Sequence, residues 1–137
     1  MKLSNTSKYA LRILIYMAKS PESLYSASQL VSALDISDKY LRRLMTDLSK
    51  SGFIQSIQGR DGGYRFAKAI DSIYLYDVIA SVESLDTLSG CVLGFEECSC
   101  TNPCAMHDTW MKIRLQLNEV YRDTRLSDLD FDHISKY

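Results

Sequence analysis

The pattern of residues 26–68 constrains the fold more than any other part of the chain. "SASQLVSAL" and "SDKYLRRLMTDLSKSG" each have apolar residues at helical spacing, and the short break "DIS" separates them. The expected buried face of the second helix is Leu41, Leu44, Met45 and Leu48. Ser26 and Gln29 have the spacing of a capping box, Ser37 is the expected N-cap of the second helix, and Gly52 is expected to end it. This pair predicts a helix-turn-helix, whose second helix enters the DNA major groove. A plain helical hairpin is the commoner alternative for the pair alone.

The residues after the helix pair favour the DNA-binding interpretation. "FIQSIQ" and "YRFAK" read as two strands, and "GRDGG" between them predicts a turn in which Gly62 and Gly63 can take positive φ. A helix-turn-helix followed directly by a hairpin predicts a winged helix. Arg60 at the wing tip can enter a narrow minor groove. The full set of expected DNA contacts is Lys39, Tyr40, Arg42 and Arg43 on the second helix, Arg60 and Arg65 in the wing, and Lys8 on an earlier helix.

Charge divides the chain into two halves. Residues 1–70 carry eleven Lys/Arg and five Asp/Glu, a net +6, whereas residues 71–137 carry five bases and twelve acids, a net −7. This asymmetry is typical of a first half that meets a polyanion. None of these residues suggests catalytic chemistry, so we expect a protein that is not an enzyme.

Residues 6–19 predict a largely apolar helix with Lys8, Arg12 and Lys19 along one stripe, which is either solvated or faces phosphate. Arg12 interrupts the apolar run, and the run is too short to span a bilayer. We therefore expect a cytoplasmic protein with no membrane partner. Because cytoplasmic thiols stay reduced, its cysteines are more typical of metal binding or redox chemistry than of a disulfide framework.

All four cysteines and one of the two histidines lie close together, at Cys91, Cys98, Cys100, Cys104 and His107. Thiolates bind soft metals and iron–sulfur clusters, and the paired C-x2-C spacing typical of structural zinc is missing from the sequence. Long gaps suit a loop that wraps a cluster. The alternatives are zinc and a thiol switch, in which Cys98 or Cys100 forms a disulfide with Cys104.

A long helix is predicted from about residue 103 to 121, with Asn102 as its cap and Pro103 in its first position. That start would place Cys104 in the first turn and on the same face as His107. Further along, one apolar stripe is expected to pack against its copy in a second subunit, the alternative being a helix folded back on its own domain. The stripe consists of Trp110, Ile113, Leu117, Val120 and Tyr121.

The expected fold is mainly α with a small β-hairpin: a winged helix-turn-helix domain plus a long C-terminal dimerisation helix. We place the DNA-binding domain at residues 1–83, a Cys-rich loop at 84–104, and the dimerisation helix with an acidic tail at 105–137. The tail from Arg125 onward is expected to be partly mobile.

"KYALRILIYMA", "YLRRLMTDLSKSGFIQSIQGRDGGYRFAK" and "CAMHDTW" together resemble the Rrf-two (Rrf2) family of bacterial winged-helix regulators. The resemblance implies a homodimer that binds a palindromic double-stranded DNA operator. It implies that Cys91, Cys98 and Cys104 hold a [2Fe–2S] cluster with His107 as fourth ligand, which leaves Cys100 spare. We therefore expect a transcriptional regulator that senses iron–sulfur status, redox state or nitric oxide. The alternatives are a cluster-free regulator switched by cysteine oxidation and a small redox or interaction module that contains a winged helix.

The chain departs from that family pattern in three places. Its first cysteine gap is one residue longer than usual, and Asp61 stands where a wing glycine is frequent. In some members an acid of the partner's first helix also ligates the cluster. Lys8 occupies the matching position here, and a charged lysine cannot ligate in that way.

Overall fold

The computed structural model describes residues 3–83, 91–96 and 100–131. Their regular elements, in chain order, are α1 (Asn5–Ala18), α2 (Ala27–Leu34), α3 (Asp38–Lys50), β1 (Ile54–Ile57), β2 (Gly63–Phe66), α4 (Leu75–Val82) and α5 (His107–Asp123). Short 3-10 turns lie at Ile70–Ser72 and Leu126–Asp128. The order of α2, α3 and the β1–β2 hairpin confirms the predicted winged helix-turn-helix, and α5 confirms the long C-terminal helix.

Serine hydroxyls start the two helices of the helix-turn-helix. The Ser26 Oγ accepts from the Gln29 N–H (3.1 Å) and the Ser37 Oγ from the Tyr40 N–H (3.2 Å), which satisfies amides that have no partner inside the helix. Between the helices Asp35 adopts a left-handed conformation (φ 49°), which Asp tolerates better than most residues. The turn from α2 to α3 is therefore made without a glycine.

The core is built mainly from α1 and α3. Ile13, Leu14 and Met17 of α1 are fully buried, and the predicted inner face of α3 is confirmed. That face consists of Leu41, Leu44, Met45 and Leu48. Full burial of one such side chain contributes about 1.5–3 kcal/mol. Because one face of α3 is buried in this core, the opposite face is directed toward solvent.

The wing is a two-stranded antiparallel hairpin, and Tyr25 from the segment before α2 pairs with its second strand. Tyr25 and Tyr64 exchange backbone hydrogen bonds of 2.8 and 2.7 Å. The buried Tyr25 side chain donates its hydroxyl to the carbonyl of Met17 (3.1 Å), and its burial raises the pKa of the phenol. A Cβ on Gly63 would lie 2.5 Å from the Tyr25 carbonyl oxygen, so this close approach requires glycine. The wing is therefore anchored to the end of α1.

The wing turn uses its glycines differently from the prediction. Positive φ occurs at Gly59 (108°) and at Gly63 (157°, close to extended), whereas Gly62 does not take the positive φ that is open to it. The Gly59 carbonyl accepts from the Gly62 N–H (3.1 Å), which closes the turn. Gly62 is needed instead because a Cβ there would collide with the Ile57 carbonyl.

The segment after α5 returns to the core over residues 125–131, and the rest of the expected tail lies outside the described residues. Leu126 is fully buried, and its N–H donates to the Ile73 carbonyl (2.7 Å). Arg125 and Asp128 form an ion pair of 3.1 Å that holds the short turn. α5 itself packs against α4, and Trp110 of α5 is buried.

Candidate DNA interface and cysteine loop

The outer face of α3 carries exposed cations. Lys39, Arg42 and Arg43 all lie exposed on it. The Arg42 Nε donates to the Asp38 Oδ2 (2.9 Å), and this hydrogen bond raises the pKa of the guanidinium. Asp38 thereby orients the Arg42 side chain, and the Nη groups of Arg42 stay available to an outside acceptor.

Tyr40 belongs to the predicted DNA-contact set but has a different environment. It is half-buried, and its hydroxyl donates to the Thr6 Oγ1 of α1 (3.2 Å). Its ring also meets the Tyr9 ring edge-on, with centroids 5.7 Å apart. Tyr40 therefore fastens the first turn of α3 to α1, and its contact with DNA stays a prediction.

The basic residues of the wing and of α1 are also exposed. Arg60 lies in the turn between the strands, and Lys8 lies in the first half of α1. Arg65 lies opposite Gln55 in the hairpin, and its guanidinium donates to the Gln55 amide oxygen (2.8 Å from Nε) when that oxygen faces it. A cleft of about 450 Å³ separates α3 from the wing. Its lining residues are Arg42, Thr46, Ser49, Lys50, Ser56, Gln58 and Tyr64.

In the cysteine loop, two sulfurs that are far apart in sequence meet. The Sγ atoms of Cys91 and Cys104 are 3.8 Å apart, and both residues are half-buried. A turn closed by the Gly94 N–H on the Cys91 carbonyl (3.1 Å) follows Cys91. The backbone N–H groups of Leu93 and Phe95 donate to the Cys91 sulfur and lower the pKa of this thiol.

The separation of these sulfurs fits a shared metal. In a tetrahedral site with metal–sulfur bonds of about 2.3 Å, two thiolates lie about 3.8 Å apart, and the observed separation of Cys91 and Cys104 is the same. Amides directed at a sulfur are also a common feature of iron–sulfur sites, where they tune the potential. Within the described residues, the Cys91 and Cys104 sulfurs are therefore a donor pair suited to iron.

The other predicted ligands do not join this pair in the described part of the chain. His107 is buried, and its N–H donates to the Cys104 carbonyl (3.1 Å). Among residues 3–83, 91–96 and 100–131, no three His, Cys, Asp or Glu side chains converge as a metal site. Cys98 lies outside the described residues, and Cys100 is exposed.

The start of α5 differs from its prediction. The helix begins at His107, not at residue 103, so Cys104 lies in the preceding loop and not in the first helical turn. The Cys104 carbonyl closes a tight turn with His107 instead, and the Met106 carbonyl accepts the first helical hydrogen bond, from Trp110 (2.8 Å). Helical spacing is therefore not what places Cys104 and His107.

A winged helix with exposed cations on its recognition helix and wing defines a class of protein, the winged-helix DNA-binding regulators. Within that class, the Rrf2 family, described as "Iron-dependent Transcriptional regulator", matches residues 3–130. The chain belongs to this family and is a transcriptional regulator.

Similar proteins include named transcriptional regulators. The chain is 31% identical over 140 residues to the HTH-type transcriptional regulator NsrR of Bacillus licheniformis, covering 99% of this chain and 98% of that one. It superposes on CymR, the global cysteine regulator of B. subtilis, with a TM-score of 0.75 and 29% identity over 93% of this chain and 95% of that one. For the oxidised form of Staphylococcus aureus CymR the TM-score is 0.77 and the identity 25%, over 98% and 99% of the chains.

These matches favour a regulator over the redox or interaction module considered from the sequence. In the ranges that the structure describes, no helix is both long and apolar enough to cross a bilayer.

Proposed function

We propose that the chain is a cytoplasmic, homodimeric regulator that binds a palindromic operator and senses its signal through a [2Fe–2S] cluster. The observation that carries the sensing part is the 3.8 Å approach of the Cys91 and Cys104 sulfurs. This pair lies just before α5, which packs on the DNA-binding domain through α4. A structural change at the cysteines could therefore be transmitted to the DNA-binding domain through α5 and α4.

The proposed DNA surface joins three parts of the winged-helix domain. α3 would enter the major groove, and Arg60 would enter the adjacent minor groove. Lys8 and Arg65 would bind phosphates, which fix the position of the domain without reading sequence. The exposure of these cations supports the assignment, and residues 1–83 would be the DNA-binding part.

The proposed cluster ligands are Cys91, Cys98, Cys104 and His107, since two irons with two bridging sulfides take four protein ligands. When bound, the cluster supplies an iron centre that exchanges electrons and reacts with small oxidants. The chain would hold it in the segment at residues 84–104, with His107 added by the first residue of α5. The Leu93 and Phe95 amides would stabilise the negative charge on the Cys91 sulfur.

The proposed dimer uses the outer face of α5, within residues 105–137. Met106, just before α5, and Ile113 and Val120 on it recur at seven-residue intervals, and these residues are 38%, 46% and 55% exposed. Large apolar side chains exposed in a row mark an association surface, and a second copy is the partner that a palindromic operator requires. Trp110 was predicted in this stripe but is already buried within the protomer.

A cluster-free regulator switched by cysteine oxidation is the second candidate. The likeness to the oxidised form of S. aureus CymR supports it, and so do the two thiols in contact. Both candidates share the DNA surface and the dimer, and they differ only in whether the purified protein holds iron.

Protein purified without oxygen tests the cluster. We expect about two irons and two sulfides per chain with visible absorption. The Cys91→Ala, Cys98→Ala and Cys104→Ala proteins should each lose them, and His107→Ala should hold an altered cluster. Cys100→Ala is the matched control and should keep it. If Cys100 proves necessary and Cys98 dispensable, the ligand set is wrong. Wild-type protein that never holds iron would instead establish the thiol-oxidation candidate.

A further inference from the structure

The contact between Cys91 and Cys104 has a chemical consequence when no metal is bound. Their sulfurs are 3.8 Å apart in the reduced chain, although thirteen positions separate the two residues. A disulfide has a sulfur–sulfur bond of about 2.05 Å. A rotation of either side chain that moves one sulfur by about 2 Å would therefore bring the pair to bonding distance.

We propose that Cys91 and Cys104 form an intramolecular disulfide when the loop lacks its cluster, and that this disulfide blocks cluster uptake. The second half rests on the proposed function, in which the same two sulfurs ligate iron. The pairing differs from the sequence-based alternative, which joined Cys98 or Cys100 to Cys104. Cys100 is exposed, whereas Cys91 and Cys104 are half-buried against each other.

The oxidant we assign is a low-molecular-weight disulfide. One protein thiolate attacks a sulfur of that disulfide, which forms a mixed disulfide and releases one small thiolate. The second protein thiolate then attacks the protein sulfur of the mixed disulfide and releases the other small thiolate. Two protein thiols are oxidised to one disulfide, one small disulfide is reduced to two thiols, and the two protons pass to the released thiolates. The second step is fast when the attacking sulfur is already in contact.

The reaction is measured on wild-type protein freed of iron with a chelator, reduced, and then treated with oxidised glutathione. We expect the count of free thiols to fall from four to two per chain, with the chain two hydrogen atoms lighter. Cleavage after Glu96 and Glu97 separates Cys91 from the other three cysteines. Because Cys98, Cys100 and Cys104 stay on one peptide, the cross-linked peptides are fragmented in the mass spectrometer, and the fragments should join Cys91 to Cys104. A main linkage that contains Cys98 or Cys100, or glutathione adducts without an internal linkage, would overturn the pairing.

Two matched variants, each with two thiols, test the role of the contact. Cys98→Ser with Cys100→Ser keeps Cys91 and Cys104, whereas Cys91→Ser with Cys98→Ser keeps Cys100 and Cys104. The first should close its disulfide about tenfold faster or more, because its sulfurs start in contact. Equal or reversed rates would contradict the proposal.

Iron uptake separately tests the claim that the Cys91–Cys104 disulfide blocks cluster uptake. The cross-linked wild-type protein should take up no iron and sulfide until dithiothreitol reduces it, whereas the reduced protein takes them up at once. Full uptake by the cross-linked protein would overturn the block. If the disulfide forms but the reduced protein never binds iron, the cluster proposal fails and the pairing stands. If the cluster forms but the linkage lies elsewhere, only the pairing fails.

Discussion

Arg60 lies exposed in the wing turn, where its guanidinium can reach a groove without disturbing the core. Arg60→Ala should weaken binding to an operator selected from a pool of random duplexes by about 10–100-fold, which corresponds to about 1–3 kcal/mol for one contact. Gel-shift titration measures the affinity, and circular dichroism should show unchanged folding.

Lys112→Ala is the matched control for Arg60→Ala, because it removes one exposed cation from α5, away from the wing. Its operator affinity should equal that of the wild type. Equal affinities for Arg60→Ala and wild-type protein would remove Arg60 from the interface.

Tyr40 shows how one residue can carry a structural role where a DNA contact was predicted. Tyr40→Phe keeps the ring against Tyr9 and loses only the hydrogen bond to Thr6. We expect it to lower the free energy of unfolding by about 0.5–1.5 kcal/mol, measured by urea denaturation. Thr6→Val should lower the free energy of unfolding by a similar amount. The double variant should lower it no further than either single variant, because both changes remove the same Tyr40–Thr6 hydrogen bond. Additive losses would show that the hydroxyl and Thr6 act independently.

At the level of elements, sequence signals were sufficient where the determining contacts are local. The serine caps of α2 and α3 and the buried face of α3 depend on residues within one or two turns, and both were predicted. The start of α5 was not predicted, because the Cys104 carbonyl closes a turn with His107 although Pro103 suits a helix start. Likewise no spacing rule pairs Cys91 with Cys104, because that contact depends on the fold of the whole loop.

The two sides of α5 give the dimer proposal a sharp test. Ile113 is 46% exposed on the proposed interface, and Leu115 is 54% exposed and lies about 200° around the helix from it. Ile113→Asp should convert the dimer to a folded monomer at micromolar concentration, because a carboxylate in an apolar interface loses its hydration. Sedimentation measures the mass, and circular dichroism checks the fold.

Leu115→Asp is the control and should remain dimeric, because that side chain is equally exposed but outside the stripe. Unfolding of Ile113→Asp would show that the residue belongs to the protomer core. A wild-type protein that is a folded monomer at micromolar concentration would contradict the dimer itself.

At the scale of the whole molecule, distant segments meet to complete the winged-helix domain. Tyr25 joins the wing through Tyr64, and Leu126 returns from beyond α5 to the core beside Ile73. Neither contact is predicted from the sequence, because each joins residues far apart in the chain, which local periodicity does not pair. Leu126 and Ile73 are buried in the same core as the apolar residues of α1 and α3, so the basic half and the acidic half are parts of one packed body.

The distribution of charge, not its total, should govern DNA affinity. The chain carries a net charge of only −1, yet residues 1–70 alone carry +6. A dimer that places two such halves against about six to ten phosphates releases that many condensed counterions, so its affinity should fall by about three to five decades between 50 and 200 mM salt. Titrations at several salt concentrations give the slope of log affinity against log salt concentration. Lys8→Ala removes a phosphate contact and should reduce the steepness of that slope by about one per contact removed. The Lys112→Ala control should leave the slope as it is. Binding that is insensitive to salt would mean that the basic face does not meet the phosphate backbone.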